Sequence, residues 1–81
     1  RRGMEQFKIK AFGMLAEKLP ESEFQFPYYE NSQELLNALK EEYPQLQNLQ
    51  FSIAVDKQLI QEKHHLYGNE EIALLPPFSG G

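Results

Sequence analysis

The chain contains no cysteine, which excludes a disulfide framework, a zinc knuckle and any thiolate nucleophile of its own. If sulfur chemistry takes place here, the sulfur comes from elsewhere. Basic residues are scarce as well: 8 Lys and Arg stand against 12 Asp and Glu, a formal net charge of −4. Arg1, Arg2 and Gly3 precede a methionine and read as a vector remnant, so the natural chain is expected to start at Met4, with a larger acid excess. Such a chain repels phosphate backbones and anionic headgroups, which makes nucleic acid and membrane surfaces poor partners. No apolar run approaches the roughly 20 residues of a membrane span, and the region after Met4 does not resemble a signal peptide, so a cytoplasmic location is expected.

The side chains present supply no evident reaction centre. Glu17, Glu21, Glu23 and Glu30 flank one predicted strand as solvated charge, and no nucleophile–base constellation stands out, which argues against a self-contained enzyme. Adjacent His64 and His65 cannot both face one ligand from a strand, and no third ligand is suitably spaced, so they read as loop residues and no metal site is assigned.

A chain of 81 residues buries only about 60–65% of its unfolded surface and has room for one modest core. A single domain over residues 4–81 is expected. Phe7, Ile9 and Ala11 alternate with Lys8 and Lys10 as a strand with one buried face, and Phe12 then breaks the pattern outward. Met14, Leu15, Ala16 and Leu19 follow at turn-like and helical spacings up to Pro20, and Phe24 and Phe26 alternate as a second strand. Asn31 with Glu34 resembles a capping box before Leu35, Leu36, Ala38, Leu39 and Tyr43, a helix that Pro44 closes. The third strand is predicted over 51–55, with a tight turn at Asp56-Lys57 and an extended continuation over 58–61. After a turn at Gly68-Asn69 a last strand runs over 71–75 with Ile72 and Leu74 on one face. The order ββαββ predicts an α+β fold, one main helix packed across a mixed sheet.

Pro76-Pro77-Phe78-Ser79-Gly80-Gly81 comes after that strand. The prolines have no amide hydrogen for a ladder and hold polyproline-like geometry, so they stop the strand and project the last residues away from the body. Extended at ~3.1 Å per residue, the six residues reach roughly 18 Å. Gly80 and Gly81 have no side chains, so the end of the tail fits a channel too narrow for other residues. A stiff exit, a reach and a thin end suit a carboxylate delivered into another protein's active site. Chain termini are commonly frayed and glycine-rich, and the combination with Pro-Pro and one aromatic is what separates this one from that background.

The segment 53–81, IAVDKQLIQEKHHLYGNEEIALLPPFSGG, resembles the C-terminal half of molybdopterin synthase small subunits, ubiquitin-like sulfur carriers of the β-grasp fold. Pro-Pro-x-Ser-Gly-Gly is the specific part of the resemblance. Asp56 stands where that family commonly has Asn, and Tyr67-Gly68-Asn69-Glu70-Glu71 replaces its usual Asp-Gly-Asp-Glu turn. Related thiamine-pathway carriers share the fold and the Gly-Gly but generally lack Pro-Pro, which favours the molybdenum-cofactor branch. A ubiquitin-like protein modifier, joined through Gly81 to target lysines, is the remaining alternative.

The resemblance implies a non-catalytic small subunit with no permanently bound cofactor. An adenylyltransferase similar to ubiquitin activators, using ATP and magnesium, converts the Gly81 carboxylate to an acyl-adenylate. A sulfur donor protein then displaces AMP to leave a thiocarboxylate. The large catalytic subunit, in an expected heterotetramer, receives the tail, and the sulfur passes to cyclic pyranopterin monophosphate. Two carriers are consumed per dithiolene. Alternation turns Phe12, Ala54 and Leu75 outward beside the tail, and with Phe78 they are expected to form the docking patch. Removal of Gly80 and Gly81 should leave the cooperative unfolding transition unchanged while abolishing carrier activity, because both lie beyond the last strand. A thermal melt of the truncated chain checks this, and loss of the transition would make the tail structural.

Overall fold

The computed structural model describes residues 6–77; the predicted Phe78, Ser79, Gly80 and Gly81 sites lie outside that range. Strand β1 (Gln6–Ala11) is followed by a short helix α1 (Met14–Lys18), strand β2 (Glu23–Pro27) and the main helix α2 (Ser32–Glu42). A 3-10 turn (Pro44–Leu46) leads to β3 (Ser52–Val55), β4 (Gln58–Ile60) and β5 (Glu71–Leu75). The five strands form one sheet in the order β2-β1-β5-β3-β4. β1 and β5 run parallel in the middle, and the other neighbours are antiparallel. A mixed sheet with one principal helix packed on it is the ubiquitin-like β-grasp arrangement.

Alternation in the strands puts every second side chain into one core. Phe7 and Ile9 of β1 and Ile72 and Leu74 of β5 are fully buried, joined by Ile53 and Val55 of β3 and Phe26 of β2. Leu35 and Leu39, one helical turn apart on α2, lie in the same cluster with Leu15, Leu46 and Leu66. On the edge strand the aromatic rings close the layer: Phe24 meets Tyr43 edge to face at 5.5 Å, and Phe26 stacks on Tyr29 at 6.1 Å.

The helix begins where Asn31 predicts it to. Its side-chain oxygen accepts the Glu34 amide at 2.9 Å, which satisfies one orphan donor of the first turn. Three local features differ from the sequence reading. The tight turn expected at Asp56-Lys57 is present, with positive φ angles of 49° and 71°, but residues 58–60 pair back on β3 as a separate strand, β4, which the order ββαββ does not count. Pro44 does not simply end α2 but opens the 3-10 turn that inserts Leu46 into the core. Finally, β3 starts at Ser52, leaving Phe51 half-buried with the Lys40 ammonium 5.9 Å from its ring.

The long connection from β4 to β5 is secured by hydrogen bonds. Ser32 donates its amide to the His64 carbonyl, and its hydroxyl accepts the His64 amide, each at 2.9 Å. Leu66 donates to the Glu30 carbonyl and buries its side chain. Glu70 is buried, and its carboxylate accepts the amides of Tyr67 and Gly68 at 2.8 and 2.9 Å, which compensates the loss of solvent. Asp56 ties the hairpin to the start of β5, donating its amide to the Glu71 carbonyl and accepting the Glu71 amide on its carboxylate.

Truncating the cap and truncating the core should separate by magnitude. Asn31→Ala is expected to lower unfolding free energy by about 1 kcal/mol, and Leu39→Ala by about 2–5 kcal/mol. Urea denaturation of the two variants checks the ranking; equal losses would mean that the cap does more than satisfy one amide.

Candidate functional site

The parallel pairing of β1 with β5 decides where the C-terminal segment leaves the body. Lys8 lies beside Glu71, Ile9 beside Ile72, Lys10 beside Ala73 and Ala11 beside Leu74. The ladder runs one step further, with the Phe12 amide donating to the Leu74 carbonyl at 3.0 Å. Both strands therefore end together, and Leu75-Pro76-Pro77 emerges beside the loop that joins β1 to α1. Leu75 and Pro76 are half-buried, and Pro77 is exposed.

Phe12 and Met14, 46% and 44% exposed, flank the glycine of that loop, which touches Pro76. Exposure this large on two apolar side chains beside the exit makes a collar that the body itself does not cover. Phe12 was expected here from the sequence. Met14 was not, since its spacing with Leu15 and Ala16 equally suited a buried helical face.

The outer face of the sheet has two halves. Cross-strand register sets Glu23, Lys10, Ala73, Ala54 and Leu59 in one row across the five strands. Towards β2 the row is charged, and towards β4 it is apolar. The Lys10 ammonium reaches the Glu71 carboxylate at 2.7 Å. Their hydrogen bond, and then their mutual charge, raises the Lys10 pKa and lowers that of Glu71. Leu59 is 53% exposed and Leu75 half-buried, so the apolar half adjoins the tail exit.

Ala54 requires a correction. It occupies the outer face as expected, but only 5% of it is accessible. Its methyl group lies in the row between Ala73 and the longer Leu59, too short to reach a docking protein. Leu59, opposite it, stands out instead. The signal for Leu59 is the hairpin register that sets it opposite Ala54, which no local pattern in 58–61 records.

The described residues hold no cluster suited to bind a metal ion. No group of three or more His, Cys, Asp or Glu side chains converges there. His64 and His65 are exposed, and the His65 ring meets Tyr67 edge to face at 4.6 Å. A groove of about 520 Å³ between β2 and α2 is lined by Phe26, Tyr29, Tyr43, Glu41 and Glu42 among others. Burial, then the charges of Glu42 and Glu21, push the Tyr43 hydroxyl up, which keeps it protonated and unsuited as a base. Among the described residues no helix is long and apolar enough to cross a membrane.

The model of the ThiS family matches residues 9–81 of the sequence. The chain belongs to the ThiS family. Its type is a small, non-catalytic, ubiquitin-like sulfur carrier. Three solved structures share the fold. SAMP1 from Haloferax volcanii superposes with a TM-score of 0.77 at 20% identity, covering 94% of this chain and 99% of that one. Small archaeal modifier protein 1 from Methanosarcina acetivorans gives 0.78 at 23% identity, covering 95% and 97%. A Pyrococcus furiosus protein assigned as molybdopterin converting factor, subunit 1, gives 0.80 at 15% identity, covering 91% and 99%. At these identities the likeness speaks for the β-grasp fold alone.

The collar residues should be dispensable for folding. Phe12→Ser and Met14→Ser are each expected to change unfolding free energy by less than about 1 kcal/mol, as solvent-facing substitutions do. A larger loss in urea denaturation would place these side chains in the core and remove them from the candidate site.

Proposed function

We propose that the protein is the sulfur-carrying small subunit of molybdopterin synthase, with Gly81 as the terminal residue that bears the sulfur. One observation carries the reading: the central strand β5 runs straight into Pro76-Pro77 beside an uncovered apolar collar, ahead of Phe78-Ser79-Gly80-Gly81. A reagent borne on the end of a tail needs a stiff base, a docking face next to it and no catalytic apparatus in its own body. The sulfur-carrier family supports the group carried, and the Pro-Pro-x-Ser-Gly-Gly ending supports the pterin branch over the thiamine one.

The chemistry is an exchange at one carbonyl. An activating enzyme of the ubiquitin-activator kind, with ATP and magnesium, joins the Gly81 carboxylate to AMP and releases pyrophosphate. The acyl carbon thereby gains a good leaving group. Sulfur delivered by a donor protein adds to that carbon, AMP departs, and a thiocarboxylate remains. In the synthase the large subunit holds cyclic pyranopterin monophosphate and receives the tail, with Phe12, Met14, Leu59, Leu75 and Phe78 as the apolar contacts. The acids and bases of sulfur transfer belong to that subunit.

A second reading, a protein modifier joined by an amide bond from Gly81 to lysine amines, has specific support. Two of the similar structures are small archaeal modifier proteins. Both readings begin with the same adenylate and part at the nucleophile.

Incubation of the chain with activating enzyme, ATP and sulfide should raise its intact mass by the difference between one sulfur and one oxygen atom. Addition of the large subunit and cyclic pyranopterin monophosphate should then yield the dithiolene with two carriers consumed per product. One extra residue after Gly81 should abolish the mass change, since displacing a reacting group by about 1 Å costs on the order of a hundredfold in rate. A chain that gains no sulfur but becomes linked to lysines overturns the carrier reading in favour of the modifier. A chain that gains sulfur yet gives no dithiolene removes only the pterin assignment.

A further inference from the structure

Where the strand ladder stops, the chain switches from hydrogen bonding to packing. The Phe12 amide donates to the Leu74 carbonyl. In a parallel ladder the next bond would run from the amide of residue 76 to the carbonyl of residue 12, and proline has no hydrogen to give. The ring of Pro76 instead lies against Gly13. A Cβ placed on Gly13 would be 2.9 Å from Pro76 Cγ, with Pro76 Cδ and Cβ at 3.7 and 3.8 Å. That is nearer than side-chain carbons approach, so the ring occupies the space that any side chain at 13 would need.

Gly13 is also held in a backbone state that excludes other residues. Its φ of 60° and ψ of −138° fall in territory open to glycine and strained for L side chains. The same residue starts α1, its carbonyl accepting the Ala16 amide at 3.0 Å. Pro76 is thus braced on a loop whose shape is fixed at one end by β1 and at the other by the helix.

We propose that Gly13 is a positioning residue for the C-terminal segment. Its missing side chain seats the Pro76 ring, and the seated ring sets where the backbone leaves the body after Pro77. The inference rests on the carrier reading for its consequence, because a carboxylate that must enter an activating enzyme's nucleotide site in register is sensitive to the aim of its tail. It assigns a role to a residue that touches neither the sulfur nor the activated carbonyl. Gly13 acts through Pro76.

Two measurements test it, one of them independent of any carrier activity. Because the chain has no cysteine, Ser79→Cys provides a unique site for a nitroxide label. Paramagnetic broadening of the body's backbone amides then reports where the tail is directed. The broadened set should change on Gly13→Ala, which displaces the ring, and on Pro76→Ala, which removes it without straining residue 13. An unchanged set in both overturns the proposal. Should Gly13→Ala fail to give a cooperative melt, Pro76→Ala decides alone.

The second measurement is the rate of adenylate formation with the activating enzyme, in chains that retain Ser79. Each single variant should lower the rate at saturation by about tenfold or more, as expected for a misplaced reacting group. The half-saturating concentration should move by less than about threefold, since the docking surface is unaltered. The double variant should be no slower than the slower single, because both changes act through one contact. Multiplying effects, or a change confined to half-saturation, would overturn the role. Failure of the parent chain to be adenylated would refute the carrier reading, while the label measurement would still decide whether Gly13 directs the tail.

Discussion

The parallel pairing of β1 with β5 is the constraint on which the rest of the structure depends. Parallel neighbours cannot be joined by a tight turn, so every element between them, α1, β2, α2 and the β3–β4 hairpin, serves as one long crossover. That crossover supplies α2 to cover the sheet and places β3 on the far side of β5. The two central strands contribute Phe7, Ile9, Ile72 and Leu74, all without solvent exposure. Because they run in the same direction, the end of β5 and the end of β1 lie at one edge. The tail consequently leaves beside Phe12, Gly13 and Met14.

The division of the outer sheet face has its origin in the same pairing. Lys10 and Glu71 lie on neighbouring central strands and pair with one another, which keeps charge on the β2 side. Ala73 and Leu75 continue the face towards β3 and β4, where Ala54 lies low and Leu59 stands out. That half of the face is apolar with charge at its border. The buried apolar side chains of the described residues form one core.

The fold was legible in the sequence wherever a single period ran long enough. The alternation Phe7, Ile9, Ala11, the spacing of Leu35 and Leu39 behind Asn31, and the alternation of Ile72 and Leu74 all name elements that the structure contains. Legibility failed in short pieces. β4 has three residues, too few for a period, so the turn at Asp56-Lys57 is legible while the strand after it is not. Glu70 stands in the sequence only as part of the turn Tyr67-Gly68-Asn69-Glu70-Glu71. Its burial became evident only with the two amides it accepts. Ala54 was placed on the correct face with the wrong exposure, because alternation gives direction and says nothing about the height of neighbouring side chains.

Residue type and order alone settle that this chain has no cysteine, that one main helix and several strands share one small core, and that β5 must stop at Pro76. These are properties of covalent structure: a missing thiol, a repeating apolar spacing, an absent amide hydrogen. Which strands are neighbours is a different kind of fact. It depends on the summed burial of residues far apart in the chain, and no local pattern records that Ala11 lies beside Leu74 or that Gly13 meets Pro76. Those contacts bring the collar to the C-terminal segment, so the place where it emerges belongs to the tertiary structure, while the order Pro76-Pro77-Phe78-Ser79-Gly80-Gly81 belongs to the sequence.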